Sequence, residues 1–194
     1  MSTTSPTDLE FDKVLVLTEG MASDALTLAP IDGSIDAWAL LQGRERPRSP
    51  VRFRPHVGSR PGDLVGGGHA ALKLVSDRLK ERWEQASLTG WATYDVEVEG
   101  LDGPGYHGLR VTGRCGPLTD EQSERVLIPP KSPEGKGVLG WRGLYFDAET
   151  WDGSDVFLPE GTAWIFVTER VKQAAKGLTN LAFRRVTEVE RRVL

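Results

Sequence analysis

The sequence contains one cysteine, Cys115, and three histidines among its 194 residues. A single thiol cannot form an internal disulfide bond, and it cannot supply a zinc site that needs several thiolate ligands. No two of these four residues stand at the spacing of a metal-ligand pair. We therefore expect a protein without a metal or another cofactor.

Long apolar runs are absent as well. One of the longest, AWIFV at 163–167, is far shorter than the roughly 20 residues that a membrane-spanning helix needs. The first residues, MSTTSPTDLEFDK, lack the basic flank and apolar stretch of a signal peptide. With 39% hydrophobic and 27% charged residues, the composition is that of a globular protein. We expect a cytoplasmic protein that does not bind membranes.

The net charge is small, but charges of one sign are concentrated in two segments. The formal net charge of -4 at pH 7 argues against nucleic acid as a partner. Residues 43–62 nevertheless hold six arginines against one acid, with four prolines. The prolines predict an extended edge or a surface loop, and the arginines could contact phosphate or an acidic protein. Residues 145–155, YFDAETWDGSD, hold four acids and no base.

Two segments of the sequence resemble each other. VSDRLKERWEQASLTGWATYDV begins at Val75, and VTERVKQAAKGLTNLAFRRV begins at Val167. In each segment a hydroxyl residue that favours the N-cap, Ser76 or Thr168, precedes an acid in the first turn of a predicted helix. Apolar residues then recur on one helical face, and a Leu-Thr turn leads to a further strand. Each segment, together with the apolar residues before it, predicts a strand, a helix and a second strand.

These patterns together predict an α+β fold, in which two related strand-helix-strand units lie on a mixed sheet. The chain is expected to be a single domain, 1–194, with pseudo-repeated halves at 11–100 and 141–194. A Gly/Pro-rich insertion, 101–140, lies between the halves. A further short helix is expected after Ser34 as N-cap. Duplication and the common occurrence of this supersecondary pattern explain the similarity of the two units equally well.

Motifs typical of catalytic or nucleotide-binding sites are weak. GGGHAA at 66–71 fits a dinucleotide-binding pattern, but it leads into a predicted strand instead of a helix, so we interpret it as a glycine turn. Cys115 follows His107 by eight positions, and such a pair forms a nucleophile only if the fold joins the two side chains. No other signature accompanies the pair, so we expect no enzyme.

The acidic segment 145–155 is the predicted binding site. It combines aromatic side chains with unpaired negative charge, which suits the docking of a basic partner. The competing interpretation is a solvated loop whose aromatic residues fold back into the core. The predicted partner-binding residues are Tyr145, Asp147, Glu149, Trp151, Asp152 and Asp155.

The segment DVFLPEGTAWIFVTERVKQAAKGLTNLAF resembles the closing segment of a myxobacterial family with paired Cys-x-x-Cys-Gly motifs. The earlier segment ALKLVSDRLKERWEQASLTG resembles the first unit of that family, and immunity family eleven of polymorphic-toxin loci has a similar late helix. The zinc motifs of the myxobacterial family are absent here, since only Cys115-Gly116 remains, so zinc is not carried over. The matching positions of the closing segment are Asp155, Phe157, Thr168, Glu169, Arg170, Gly177, Leu178 and Phe183.

Some members of that family look like immunity proteins, which protect a cell from a polymorphic toxin. The resemblance implies a non-catalytic immunity protein that binds a cognate toxin, expected to be basic, and occludes its active site. An alternative is a regulatory or small-ligand-binding module with a pocket between the two halves, near His69 or Trp141. A third hypothesis, an enzyme, requires Cys115 and His107 within hydrogen-bond reach.

Overall fold

The structure is a computed structural model that describes residues 9–20, 22–33, 35–101, 105–130, 132 and 134–192. Its helices are α1 (Ala37–Leu41), α2 (Asp77–Gln85) and α3 (Glu169–Ala174), with three short 3-10 segments at Phe11–Lys13, Ala148–Thr150 and Val186–Glu188. Its strands are β1 (Val14–Glu19), β2 (Thr27–Pro30), β3 (Val51–Val57), β4 (Leu64–Gly66), β5 (Lys73–Ser76), β6 (Trp91–Val98), β7 (Tyr106–Val111), β8 (Gly113–Thr119), β9 (Glu124–Ile128), β10 (Val138–Arg142), β11 (Tyr145–Phe146), β12 (Val156–Glu160), β13 (Ile165–Thr168), β14 (Leu181–Arg185) and β15 (Glu190–Arg192). The protein is thus mostly β, and the α+β class describes it only broadly.

The helices begin close to the predicted caps. The Ser76 hydroxyl accepts a hydrogen bond from the Leu79 amide at 3.2 Å, which fixes the start of α2. Thr168 precedes α3, but its hydroxyl donates to Asp155 instead of capping the helix. The carboxylate of Asp36 caps α1 by accepting from the Ala39 amide at 2.9 Å. The N-cap predicted for this helix, Ser34, lies outside the described residues.

Six strands close into a barrel in the order β2, β3, β6, β7, β5, β4. Closure depends on two parallel pairings, between β3 and β6 and between β2 and β4. The Arg/Pro-rich stretch supplies β3, in which Phe53 is fully buried and the flanking arginines Arg52 and Arg54 are exposed. The stretch is extended, as predicted, but it pairs on both sides and does not lie at a sheet edge.

A second six-stranded sheet has the order β11, β8, β12, β13, β1, β14. Strand β1 lies between β13 and β14 and is antiparallel to both. Strand β7 lies between β5 and β6 of the barrel in the same way. The strands that flank α2 therefore belong to the barrel, and those that flank α3 belong to the second sheet. The expectation of one shared mixed sheet is wrong. Strands β5 and β6 are joined through β7 in the barrel, and β13 and β14 are joined through β1 in the second sheet.

Within the segment 101–140, β7 and β8 are parts of the two large sheets. Strand β9 instead joins β10 and β15 in a separate three-stranded sheet, with β10 in the middle. This small sheet leaves the body of the protein between β8 and β11, which pair with each other at its base.

The central strands of the second sheet, β1, β12 and β13, are buried on both faces. Leu15 and Leu17 of β1 pack into a large cluster that continues through the barrel interior and the helices. Val14 and Val16 point the other way, into a smaller cluster with Phe157. Strand β13, formed by the apolar AWIFV segment, is a central strand, since it pairs with β1 on one side and β12 on the other. None of the helices in the described ranges has the length and apolar character needed to cross a membrane.

Candidate functional site

The acidic segment 145–155 begins on β11 and runs over the outside of the second sheet. Tyr145 is half-buried, and its ring packs edge-on against Phe11 with the centroids 5.1 Å apart. The Asp147 carboxylate accepts from the Glu149 amide at 3.0 Å and so starts the 3-10 turn that follows. The Thr150 hydroxyl accepts from the Gly116 amide at 2.7 Å, which attaches the turn to β8.

Two of the six predicted contact residues are buried. The Trp151 ring packs on Phe157, and its indole N–H donates to the Ser154 carbonyl at 3.1 Å. The Asp155 carboxylate accepts hydrogen bonds from the amide and the hydroxyl of Thr89. It also forms an ion pair with Arg170, whose nearest nitrogen lies 2.8 Å away. These two residues hold the fold together, and neither is accessible to a partner in this conformation.

The other three acids of the segment are exposed: Asp147, Glu149 and Asp152. Asp152 is held in place because it accepts from the backbone amides of Arg114 and Ser154 at 2.8 and 3.0 Å. Asp147 is held by its capping bond, which leaves its second carboxylate oxygen for other donors. The exposed acids therefore form a negatively charged and locally ordered edge, and their role in binding stays a prediction.

The three-stranded sheet presents apolar side chains to solvent. Leu127 of β9 and Leu139 of β10 lie directly opposite each other across the strands, and they are 69% and 68% exposed. Side chains of cross-strand neighbours touch on one face of a sheet, so the two leucines form one patch. Val57 is also more than half exposed, but it stands alone on β3.

The next cross-strand pair on the same face is Arg125 and Trp141. The guanidinium carbon of Arg125 lies 5.1 Å from the centre of the Trp141 ring, a cation-π arrangement. Arg191 of β15 lies opposite Trp141 and forms an ion pair with Asp120. We call the surface of Arg125, Leu127, Leu139 and Trp141 the hairpin face; tryptophan and arginine are frequent in the energetic centres of protein interfaces.

The Cys115 and His107 side chains do not form a nucleophile and base pair. The His107 ring bonds Asp77 at 2.8 Å on the barrel, while Cys115 is buried in the smaller core cluster beside the second sheet. Burial, and to a smaller extent the Asp152 carboxylate, raises the pKa of the Cys115 thiol to about 12. Almost no thiolate is present at neutral pH, and the thiolate is the reactive form.

The pocket hypothesis placed a pocket between the halves near His69 or Trp141, and neither residue lines the cavity found there. His69 is exposed in a turn before β5, where its ring accepts from the Ala71 amide, and Trp141 lies on the hairpin face. A cavity of about 320 Å³ does lie between the halves, with Arg60 from the first half and Asn180 from the second in its wall. The Asn180 side-chain oxygen is buried without a hydrogen-bond partner in the described part of the chain.

Among the described residues, no group of three His, Cys, Asp or Glu side chains is arranged to hold a metal ion. Comparison of the sequence with protein-family models and with curated proteins found no match. Sequence reasoning also missed the hairpin face. Leu127 and Leu139 stand in short apolar stretches that look like any half-buried strand, and only the pairing of the strands shows which face meets solvent.

Proposed function

We propose that this chain is a non-catalytic immunity protein, which binds a cognate toxin and covers its active site. The observation that carries the proposal is the exposed Leu127–Leu139 pair beside Arg125 and Trp141. Two adjacent leucines at a protein surface gain free energy when a partner removes them from water, about 1.5 to 3 kcal/mol for each fully buried side chain. A hydrophobic centre with arginine and tryptophan suits a specific protein interface.

The acidic edge supplies the second part of the proposal. The small sheet leaves the body between β8 and β11, and β11 leads directly into the acidic segment. An apolar centre with charged residues at its border is the usual anatomy of a protein interface. Asp147, Glu149 and Asp152 would then attract a basic partner and orient it, and Tyr145 would contribute its exposed part.

The test is coexpression with the product of the neighbouring toxin gene, together with a binding measurement on the purified pair. Wild-type protein is expected to rescue growth and to bind. Leu127→Ser with Leu139→Ser is expected to weaken binding at least about tenfold, because two apolar anchors are lost. The matched control is Val57→Ser, another exposed apolar residue on a strand, which is expected to bind like wild type.

The contribution of the exposed acids to binding is tested with separate variants. Asp147→Lys with Glu149→Lys is expected to slow association and to reduce its salt dependence. Glu81→Lys, an equally exposed acid on α2, changes charge away from the segment and serves as the control. If toxin kills cells equally with and without this protein, the proposal is wrong.

We also propose that the two strand-helix-strand units are copies of one ancestral segment. Corresponding elements begin at residues 14 and 106, 64 and 156, 73 and 165, and 77 and 169, a constant offset of 92 positions. In this arrangement β1 and β7 are the first strands of the two copies, and each pairs within the sheet of the other copy. The copies differ most where β9 and β10 are inserted, which is also where the hairpin face lies.

A small-ligand-binding module is the second candidate, and the cavity between the halves favours it. Arg60, a residue of its wall, would bind an acceptor group of a ligand. A screen of small polar compounds by thermal shift tests this candidate. A ligand whose stabilising effect disappears in Arg60→Gln and persists in Arg54→Gln would favour it over the immunity proposal.

A further inference from the structure

A second cavity, of about 220 Å³, opens between β6, β7 and the segment that connects α1 to β3. Its wall contains three arginines, Arg46, Arg48 and Arg110, and one carboxylate, Asp95. We call this cavity the arginine cleft. Its volume is below the range of about 300 to 1,000 Å³ that is usual for drug-sized ligands, so it suits a small group.

Arg110 is the buried member of the cleft. Its residue surface is 8% exposed, and one guanidinium nitrogen donates to the Thr93 carbonyl at 3.3 Å. Its Nε is buried and has no hydrogen-bond partner among the described residues. No carboxylate in the described ranges lies within ion-pair distance of this guanidinium, whereas Arg170 and Arg142 both have acidic partners.

A buried guanidinium without a counter-charge is unfavourable, because desolvation is not offset by an ion pair. Burial and the neighbouring positive charge of Arg46 both lower the pKa of Arg110. Without a bound anion, Arg110 therefore costs folding free energy. An anion held in the cleft would supply the missing counter-charge.

The rest of the wall also offers donors. Arg46 and Arg48 are exposed residues of the wall, in an irregular segment that contains Pro47 and Pro50. Tyr94 is also a residue of the wall, and its hydroxyl has no partner among the described residues; burial raises its pKa to about 12, so the hydroxyl keeps its proton at neutral pH. Asp95 is the one acceptor of opposite sign, and three arginines outweigh it.

We propose that the arginine cleft binds a phosphate group, either free or on a small phosphomonoester. Arginine forms paired hydrogen bonds with phosphate through its planar fork, and the Tyr94 hydroxyl adds a neutral donor. The three arginines stand on two elements, Arg46 and Arg48 on the α1–β3 connection and Arg110 on β7, so a bound phosphate would link that connection to the barrel. This inference stands apart from toxin binding, because it uses neither the hairpin face nor the acidic segment.

The test is calorimetric titration of the full-length protein with inorganic phosphate and, separately, with glycerol 3-phosphate at constant ionic strength. Saturable one-to-one binding of either ligand supports the site, and the ligand that binds more tightly identifies the source of the phosphate. Arg46→Gln and Arg48→Gln are each expected to weaken binding about tenfold. Arg54→Gln removes the same charge from β3 outside the cleft, and it is expected to bind like wild type.

Asp95→Asn gives a gain of affinity that a purely structural cleft would not produce. Removing the one negative charge of the wall is expected to tighten phosphate binding several-fold. Arg110→Met gives the second discriminating readout, since it removes an unpaired buried charge and keeps most of the side-chain volume. In phosphate-free buffer it is expected to be at least as stable as wild type, and added phosphate is expected not to stabilise it further.

Three results overturn the proposal: no saturable binding of either ligand to wild type, equal weakening by Arg54→Gln and Arg46→Gln, or unchanged binding in Arg46→Gln and Arg48→Gln. If Arg110→Met does not fold, the exposed arginine variants and Asp95→Asn decide the question by themselves.

Discussion

Asp63 and Asp155, 92 positions apart in the sequence, make matching sets of hydrogen bonds. Each is buried just before the first strand of a hairpin, and each accepts from the hydroxyl residue that precedes a helix, Ser76 or Thr168. Each also accepts from the amide and the hydroxyl of a threonine in the other half of the chain. Asp63 binds Thr179 and Asp155 binds Thr89, so the two halves are joined by two reciprocal contacts.

Replacement of either aspartate by alanine is expected to destabilise the protein by about 2 to 3 kcal/mol, because buried donors lose their acceptor. Glu149→Ala, an exposed acid, is expected to change the free energy of unfolding by less than about 0.5 kcal/mol. Urea unfolding of the three variants measures both effects. An equal, small effect in all three would show that the buried contacts contribute little.

The reciprocal contacts also predict which residue pairs are energetically coupled. In double-mutant cycles, Asp155→Ala with Thr89→Val and Asp63→Ala with Thr179→Val are expected to show coupling of about 1 kcal/mol each. The crossed combination, Asp155→Ala with Thr179→Val, is expected to be additive. Additivity in all three cycles would contradict the contacts.

The turn after each helix contains residues in the left-handed region at matching positions. Ser87 has a φ of 50°, and its counterpart Gly177 has a φ of 82°. Ser87→Gly is expected to stabilise the protein by about 0.5 to 1 kcal/mol, because glycine adopts this conformation without strain. Gly177→Ala is expected to destabilise it by about 1 kcal/mol through backbone strain alone, since no atom lies near the added methyl group. Thermal unfolding measures both, and stabilisation by Gly177→Ala would contradict the assignment.

Stability is expected to fall at high pH because of buried tyrosines. Burial, and to a smaller extent the Asp63 carboxylate, raises the pKa of Tyr106 to about 12 in the folded protein, compared with about 10 in an unfolded chain. The folded state therefore keeps a proton that the unfolded chain releases between these values. Stability is complete below pH 10 and falls as pH rises toward 12, by up to about 1.4 kcal/mol per pH unit for this residue.

Tyr106→Phe isolates this contribution. Near pH 8 the variant is expected to be less stable by about 1 kcal/mol, because the hydrogen bond from the Tyr106 hydroxyl to the Gly62 carbonyl is lost. Between about pH 10 and 12 its free energy of unfolding is expected to fall less steeply than that of wild type. Parallel slopes for the two proteins, measured by urea unfolding at each pH, would refute the prediction.

The Cys115 thiol is expected to resist alkylation in the native protein. It is buried, and its raised pKa leaves almost no thiolate at pH 8. Mass spectrometry after iodoacetamide treatment is expected to show an unmodified native chain and one added group per chain in denaturant. Rapid modification of the native protein would contradict the burial of this side chain and revive the nucleophile hypothesis.

Local signals in the sequence predicted local structure well. The helix starts after Ser76 and Thr168 and the strand that follows the first Leu-Thr turn were readable, because capping and φ preferences depend on neighbours along the chain. The composition of the acidic segment was also readable. The orientation of its side chains could not be predicted, because the same residues fit an exposed surface and a loop whose Trp151 and Asp155 turn inward.

The sequence by itself determined where α2 and α3 begin and that strands flank them. Only the tertiary structure decided that β1 pairs with strands near the other end of the chain and that β7 completes the barrel. Backbone hydrogen bonds are alike for every strand, so alternation of side chains predicts a strand without naming its partner. For the same reason, only the assembled sheets show that Leu127 and Leu139 face solvent and that Arg110 is buried without a carboxylate among the residues described.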